Sequence, residues 1–374
     1  MRGRRRSFQA AVLGTLAVLV LGACGVAVAP PASPTFVGSL AGRTGVNPGS
    51  AILWMNDADR NRELDQIAAT GAGWISVDFD WNSIQAWSAS DWRWDVATDK
   101  LVRGAKARGL KVLAMLAYSP TWARRPACAN TSHCLPANPD DFARFAGAAA
   151  ARYGSNSNIA DLRGTVVAYQ LWNEPNHYPF VQPTVDVAGY TAMLVRAYPA
   201  IKAADPTATV LTGATSPAGD DPSGRDMAPA TFLEGIYAHG GGGSFDAAAH
   251  HPYSFPYSPL VEAHWNSFQQ TKTMYDVMVR NGDGGKKIWG TESGAPTGTD
   301  PGRSVSEETQ SQFVADYFRG WHHDYAEFSG PLFWFQLRDN DTNLAFYEDN
   351  FGLLRRDWTK KLAYDEFTRQ IANT

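Results

Sequence analysis

The chain has 374 residues, 44% of them hydrophobic, and a formal net charge of −4. That mild acidity argues against nucleic acid as a partner, because such binding needs a basic patch or stripe. The 34 Gly and 22 Pro point to many defined turns, and about 340 residues after an N-terminal leader amount to one large α/β barrel or two ordinary domains.

The first residues read as an address. Arg2 and Arg4 to Arg6 precede an apolar run from Ala10 to Val20, too short to span a membrane comfortably. Leu21-Gly22-Ala23-Cys24 then resembles a lipobox with Cys24 as the acylated residue, and Arg5-Arg6-Ser7-Phe8 resembles a twin-arginine export signal. The expected organisation is a leader over 1–24, a Pro/Ala-rich tether over 25–38 and one domain over 39–374. The expected location is secreted or cell-envelope, with membrane contact only through the lipid at Cys24. Of three cysteines, Cys128 and Cys134 remain, six apart in a loop bounded by Pro126 and Pro136. In an oxidising compartment they are expected to form a disulfide. A metal pair would need further ligands, and only His133 is near.

From Thr44 onward strands and helices alternate. Strands are expected at Thr44 to Asn47, Trp74 to Phe79, Leu110 to Ala117, Val166 to Leu171, Thr207 to Thr212, Phe245 to His250, Lys287 to Thr291 and Pro331 to Gln336. Helices are expected between them, including Val261 to Arg280 and Glu307 to Tyr325, with Lys360 to Ile371 closing the chain. Eight alternations with no spare length specify a (β/α)8 TIM barrel in a single catalytic domain.

Barrels carry their chemistry at the carboxyl ends of the strands. Strand four runs into Trp172-Asn173-Glu174-Pro175, where Pro175 stops the ladder and holds Glu174 out of helical geometry. Strand seven runs into Thr291-Glu292-Ser293-Gly294. Two carboxylates facing one cleft are the apparatus of glycoside hydrolysis.

Trp172-Asn173-Glu174-Pro175 together with Thr291-Glu292 resembles the clan of retaining glycoside hydrolases (clan A) that bear their glutamates on barrel strands four and seven. The Trp122 and disulfide region and His251-Pro252-Tyr253 are most similar to the cellulase-like and family 39 β-xylosidase-like members. The resemblance covers about residues 40 to 370. It implies Glu174 as acid/base, Glu292 as nucleophile, Asn173 as a ligand of the sugar 2-hydroxyl and Tyr253 as a partner of Glu292. It also implies an arginine on strand two, where this chain has Ser76. Loss of that cation should raise the pKa of the nucleophile.

Flat aromatics at the mouth suit sugar rings, and Trp81, Tyr118, Trp122 and Trp334 follow or end strands. Asp78 and Asp80 alternate with Phe79 and are placed to face the barrel interior, with Asp80 near enough to the rim to bind substrate. His251 is read as a hydrogen-bonding group in the cleft, and His322 and His323 as helix surface. Adjacent histidines diverge, so neither pair chelates easily. No metal and no cofactor is expected. The expected function is a monomeric, endo-acting retaining glycosidase of an extracellular or envelope polysaccharide. The alternatives are a weak or inactive glycan-binding lipoprotein and a transglycosylase on the same scaffold.

Overall fold

The computed structural model describes residues 39–372. The leader, the tether and Cys24 lie outside the described residues. Eight parallel strands close into a barrel in chain order: β1 (Thr44–Asn47), β2 (Trp74–Asp80), β3 (Lys111–Ala117), β4 (Val166–Leu171), β5 (Thr209–Leu211), β6 (Ala247–His250), β7 (Lys287–Ser293) and β8 (Ser329–Phe335). β1 pairs with both β2 and β8, so the sheet has no free edge. The expected (β/α)8 barrel is the fold.

The helices are α1 (Asp57–Ala69), α2 (Trp81–Ile84), α3 (Thr98–Ala107), α4 (Pro139–Tyr153), α5 (Val187–Ala204), α6 (Pro229–Ala238), α7 (Ser267–Arg280), α8 (Glu307–Arg319) and α9 (Leu362–Ala372). Several begin at a side chain that accepts from the first free amides: Asn56 for α1, Asn138 for α4, Asp186 for α5 and Ser306 for α8. The same rule corrects one expected boundary. Asn266 caps α7 and also donates to the carbonyl of Val261 at 2.8 Å, so Val261 belongs to the preceding loop. α8 is shorter than expected as well, giving way to a π-turn at Gly320–Asp324.

That turn overturns the surface reading of His322. It is 1% exposed, its ring 5.4 Å from that of Phe318, and burial first, then the charge of Arg43, lowers its pKa to about 3. His323 is half-buried.

Alternation along the strands sorts two cores. Trp74, Leu113, Ala249, Trp289 and Phe333 form an inner cluster, while the outward residues join the helices in a larger one. Trp74 and Trp289 meet edge to face at 5.3 Å. Gly45 leaves them room, since a Cβ there would sit 2.4 Å from the Phe333 ring. The inner layer fills the barrel below the site, and polar residues begin above it.

Cys128 and Cys134 are joined, with Cα atoms 5.5 Å apart, in the loop after β3. The loop after β8 is tied down by a buried ion pair. Lys361 Nζ donates to Asp339 Oδ1 at 2.7 Å, Thr297 Oγ1 at 2.9 Å and the carbonyl of Asn350 at 3.0 Å. Replacing Lys361 by Met strands a buried carboxylate and should destabilise the fold by about 3–5 kcal/mol. Urea unfolding would read this as a fall in midpoint.

Candidate active site

Above the inner core lies a cleft of about 1040 Å³. Glu174 enters it from a sharp bend. The chain leaves β4 with Trp172 at φ 83°, and Glu174 itself is at φ 43°, a region L-residues seldom occupy. The surroundings enforce the bend. Trp172 is fully buried, and its Nε1 donates to the Phe180 carbonyl at 2.9 Å. Asn176 donates to the carbonyls of Ser216 and Met227 and accepts from the Ser216 amide at 2.7 Å. Strain held this firmly at a carboxylate marks a functional position.

Glu292 lies within β7 rather than beyond it, and its carboxylate is gripped from three sides. Tyr253 donates its hydroxyl to Oε2 at 2.8 Å, as the resemblance implies. Asn47, at the end of β1, donates Nδ2 to Oε1 at 3.1 Å. His251 Nδ1 lies 3.6 Å from Oε2.

The same nitrogen is 2.9 Å from Glu174 Oε1, so His251 bridges the two glutamates. Burial opposes its charge, but Glu292 and Glu174 outweigh that and raise its pKa. Its neighbour His250 faces the other way, bonded to Thr215 Oγ1 at 2.8 Å, with a pKa that burial pushes down to about 4. The divergence expected of adjacent histidines is what separates them. Glu292 is raised above the ordinary carboxylate range by burial, partly offset by His251, with Glu174 adding to the rise. Asp78, which also lines the cleft, is pushed up to about 7 by burial and then by the charges of Glu292 and Asp80.

Asn173, Tyr118 and Asp80 line the cleft with the two glutamates. Tyr118 shares a hydrogen bond with the Asn173 side chain, and its ring meets Trp172 edge-on at 5.2 Å. Asp80 also caps α2, accepting from the amide of Asn82 at 3.1 Å and from the Ser83 hydroxyl. Ser76 is 3% exposed and sits on the inward face of β2 between Trp74 and Asp78.

Three expected sugar platforms are elsewhere. Trp334 is 1% exposed on the outer face of β8, its ring 6.0 Å from Tyr317, and its neighbour Phe335 lines the cleft instead. Strand alternation accounts for this, since Phe333 points inward and Trp334 must point outward. Trp81 is fully buried, stacked on Phe145 at 5.5 Å. Trp122 stands edge-on to Trp81, donates to the Gln85 carbonyl at 2.7 Å and does not line the cleft. These rings anchor loops to helices. Sequence reasoning missed Asn47, Trp54, His133 and Phe335, all of which line the cleft. Trp54 is 58% exposed at the lip, following β1, and presents the flat apolar surface a sugar ring needs.

A family model described as Cellulase (glycosyl hydrolase family 5) matches residues 36–350. No curated protein matches by sequence. Among solved structures, a family 39 glycoside hydrolase from Bacteroides cellulosilyticus superposes with TM-score 0.68 at 20% identity, covering 88% of this chain and 63% of that one. A monomeric β-xylosidase from Caulobacter crescentus gives 0.65 at 17% identity, covering 91% and 69%. A family 5, subfamily 18 protein from Streptomyces cattleya, in complex with GlcNAc, gives 0.61 at 17% identity, covering 89% and 82%. This chain thus spans less than two thirds of the family 39 protein, and the likenesses at such identity concern the fold.

Proposed function

The chain belongs to the cellulase family, glycosyl hydrolase family 5, and from that premise we propose that it is a retaining glycosidase acting within an extracellular or cell-envelope polysaccharide. The observation that carries the reading is the His251 bridge. One nitrogen lies 2.9 Å from a Glu174 oxygen and 3.6 Å from a Glu292 oxygen. Those two oxygens are therefore at most about 6.5 Å apart, the lower limit of the ~6.5–9.5 Å that leaves room for a water in inverting enzymes.

The roles follow from the contacts. Glu292 is held by donors, which suits an ionised nucleophile attacking the anomeric carbon. Glu174 protonates the leaving oxygen as that bond breaks, and a glycosyl ester forms on Glu292. Glu174 then takes a proton from water, whose oxygen displaces Glu292 and releases the sugar with its original configuration. The His251 imidazole lies between the two carboxyls and contacts both. The raised pKa of Glu292 puts the acid limb of kcat/KM above that of an ordinary glutamate.

The cleft volume of about 1040 Å³ is at the upper end of the roughly 300–1,000 Å³ of small-ligand pockets, which supports an oligosaccharide occupant and endo action. The Arg-rich start, the apolar run and Cys24 support export and a lipid anchor. The neighbour named a β-xylosidase supports β-linked glycans as the class to try first.

A screen of envelope and plant polysaccharides for released sugars finds the substrate. Proton NMR of the first turnovers should then show the anomer present in that substrate. Appearance of the opposite anomer would overturn the retaining assignment.

A further inference from the structure

We propose that Asn47 is the positioning residue that holds the nucleophile, in the role the chain does not give to a cation on β2. The proposal rests on the assignment of Glu292 above and adds a residue to it.

The geometry of the amide is fixed at both ends. Gly49, at φ 74°, turns its backbone N–H onto Asn47 Oδ1 at 2.9 Å. With the oxygen engaged, Nδ2 is the end that faces Glu292, and it donates to Oε1 at 3.1 Å. The hydrogen-bond network thus settles which way the amide points. Tyr253 takes the other carboxylate oxygen, so Glu292 is clamped by one donor on each oxygen.

Register explains how Asn47 reaches that far. Gly45 pairs with Trp74 and Val46 with Ile75, which sets Asn47 beside Ser76 on the next step. Gly45 abuts the inward Trp74 and Phe333, and Val46 belongs to the outer core, so Asn47 faces inward again. Ser76 is short and uncharged, and the donor to Glu292 comes from Asn47 on the neighbouring strand.

The chemistry differs from that of a cation. An amide donor stabilises the carboxylate through one hydrogen bond and adds no charge, so burial still keeps the Glu292 pKa raised.

The test is a pair of variants, of which the first is isosteric. Asn47→Asp keeps the acceptor for the Gly49 amide but replaces the donor to Glu292 with a like charge. Asn47→Ala removes both contacts and introduces no charge. The Glu292 carboxyl is followed by ¹³C NMR titration, its signal assigned by its absence from Glu292→Gln, and melting temperature confirms the fold. The expected result is a rise of about one pH unit or more in the Glu292 midpoint in Asn47→Asp and a smaller rise in Asn47→Ala. On an activated aryl glycoside kcat should fall about 100-fold with KM little changed. An unmoved midpoint in folded Asn47→Asp or Asn47→Ala would overturn the proposal, leaving Asn47 as a turn residue only. Because the titration needs no turnover, a shifted midpoint in a protein that cleaves nothing would count against the glycosidase reading and not against this one.

Discussion

Glu292→Gln protein is expected to form no covalent adduct with an activated fluoro-sugar that labels the parent enzyme, and to lose kcat on the order of 10⁴-fold or more. Glutamine fills the same volume and still accepts from Tyr253, so the loss would not reflect collapse of the site. The missing element is the carboxylate proposed to form the ester. Intact mass spectrometry reads the result directly, as one sugar added to the parent and none to the variant. Persistent labelling of the variant would mean that another group attacks, and Asp78, a carboxyl in the cleft that feels the Glu292 charge, would be the residue to examine.

Glu174→Gln should behave differently. With a natural glycan the leaving oxygen needs a proton, and kcat is expected to fall by about 10²–10⁴-fold. With a good leaving group the first step needs no acid, but water is no longer activated for the second. The glycosyl ester on Glu292 should therefore accumulate, and a burst of leaving group should precede slow turnover. Azide, which attacks without base assistance, should restore the rate. Stopped-flow absorbance would record the burst. A variant with no burst and no rescue would remove Glu174 from the acid/base role.

The barrel and its two glutamates were legible because each rests on a pattern with one physical meaning. Eight apolar runs alternating with amphipathic ones leave a closed parallel sheet as the economical arrangement. Glu174 and Glu292 stand out because a carboxylate following a buried strand is costly unless something there uses it. The aromatics were not legible in the same way. A barrel strand is apolar on both faces, so nothing in Pro331 to Gln336 tells which of Trp334 and Phe335 turns inward, and a shift of one residue decides it. Trp81 opens the four-residue α2 and Trp122 sits in a three-residue 3-10 turn, segments too short to show a period.

Asn47 was hidden for another reason. β1 has only four residues, and its final amide gains meaning only from Gly49 behind it and Glu292 two strands away. His322 was misplaced because a helical period was carried through a π-turn, which rotates each following residue off its expected face. His251, by contrast, was legible from its place just after strand six, and it contacts Glu174 as a cleft hydrogen-bonding group.

The bend at Trp172 and Glu174 reaches beyond catalysis. Two non-glycine residues with positive φ, one of them a fully buried indole, cost of order 1–3 kcal/mol each in a protein whose whole margin is small. The remainder of the barrel therefore has to be more stable than a fold without this site would need to be. Substitutions elsewhere that erode that reserve, even far from the cleft, draw on the same margin that keeps Glu174 in place. An engineer seeking a hardier version should add stability at the helix caps and outer core, and leave this segment as it stands.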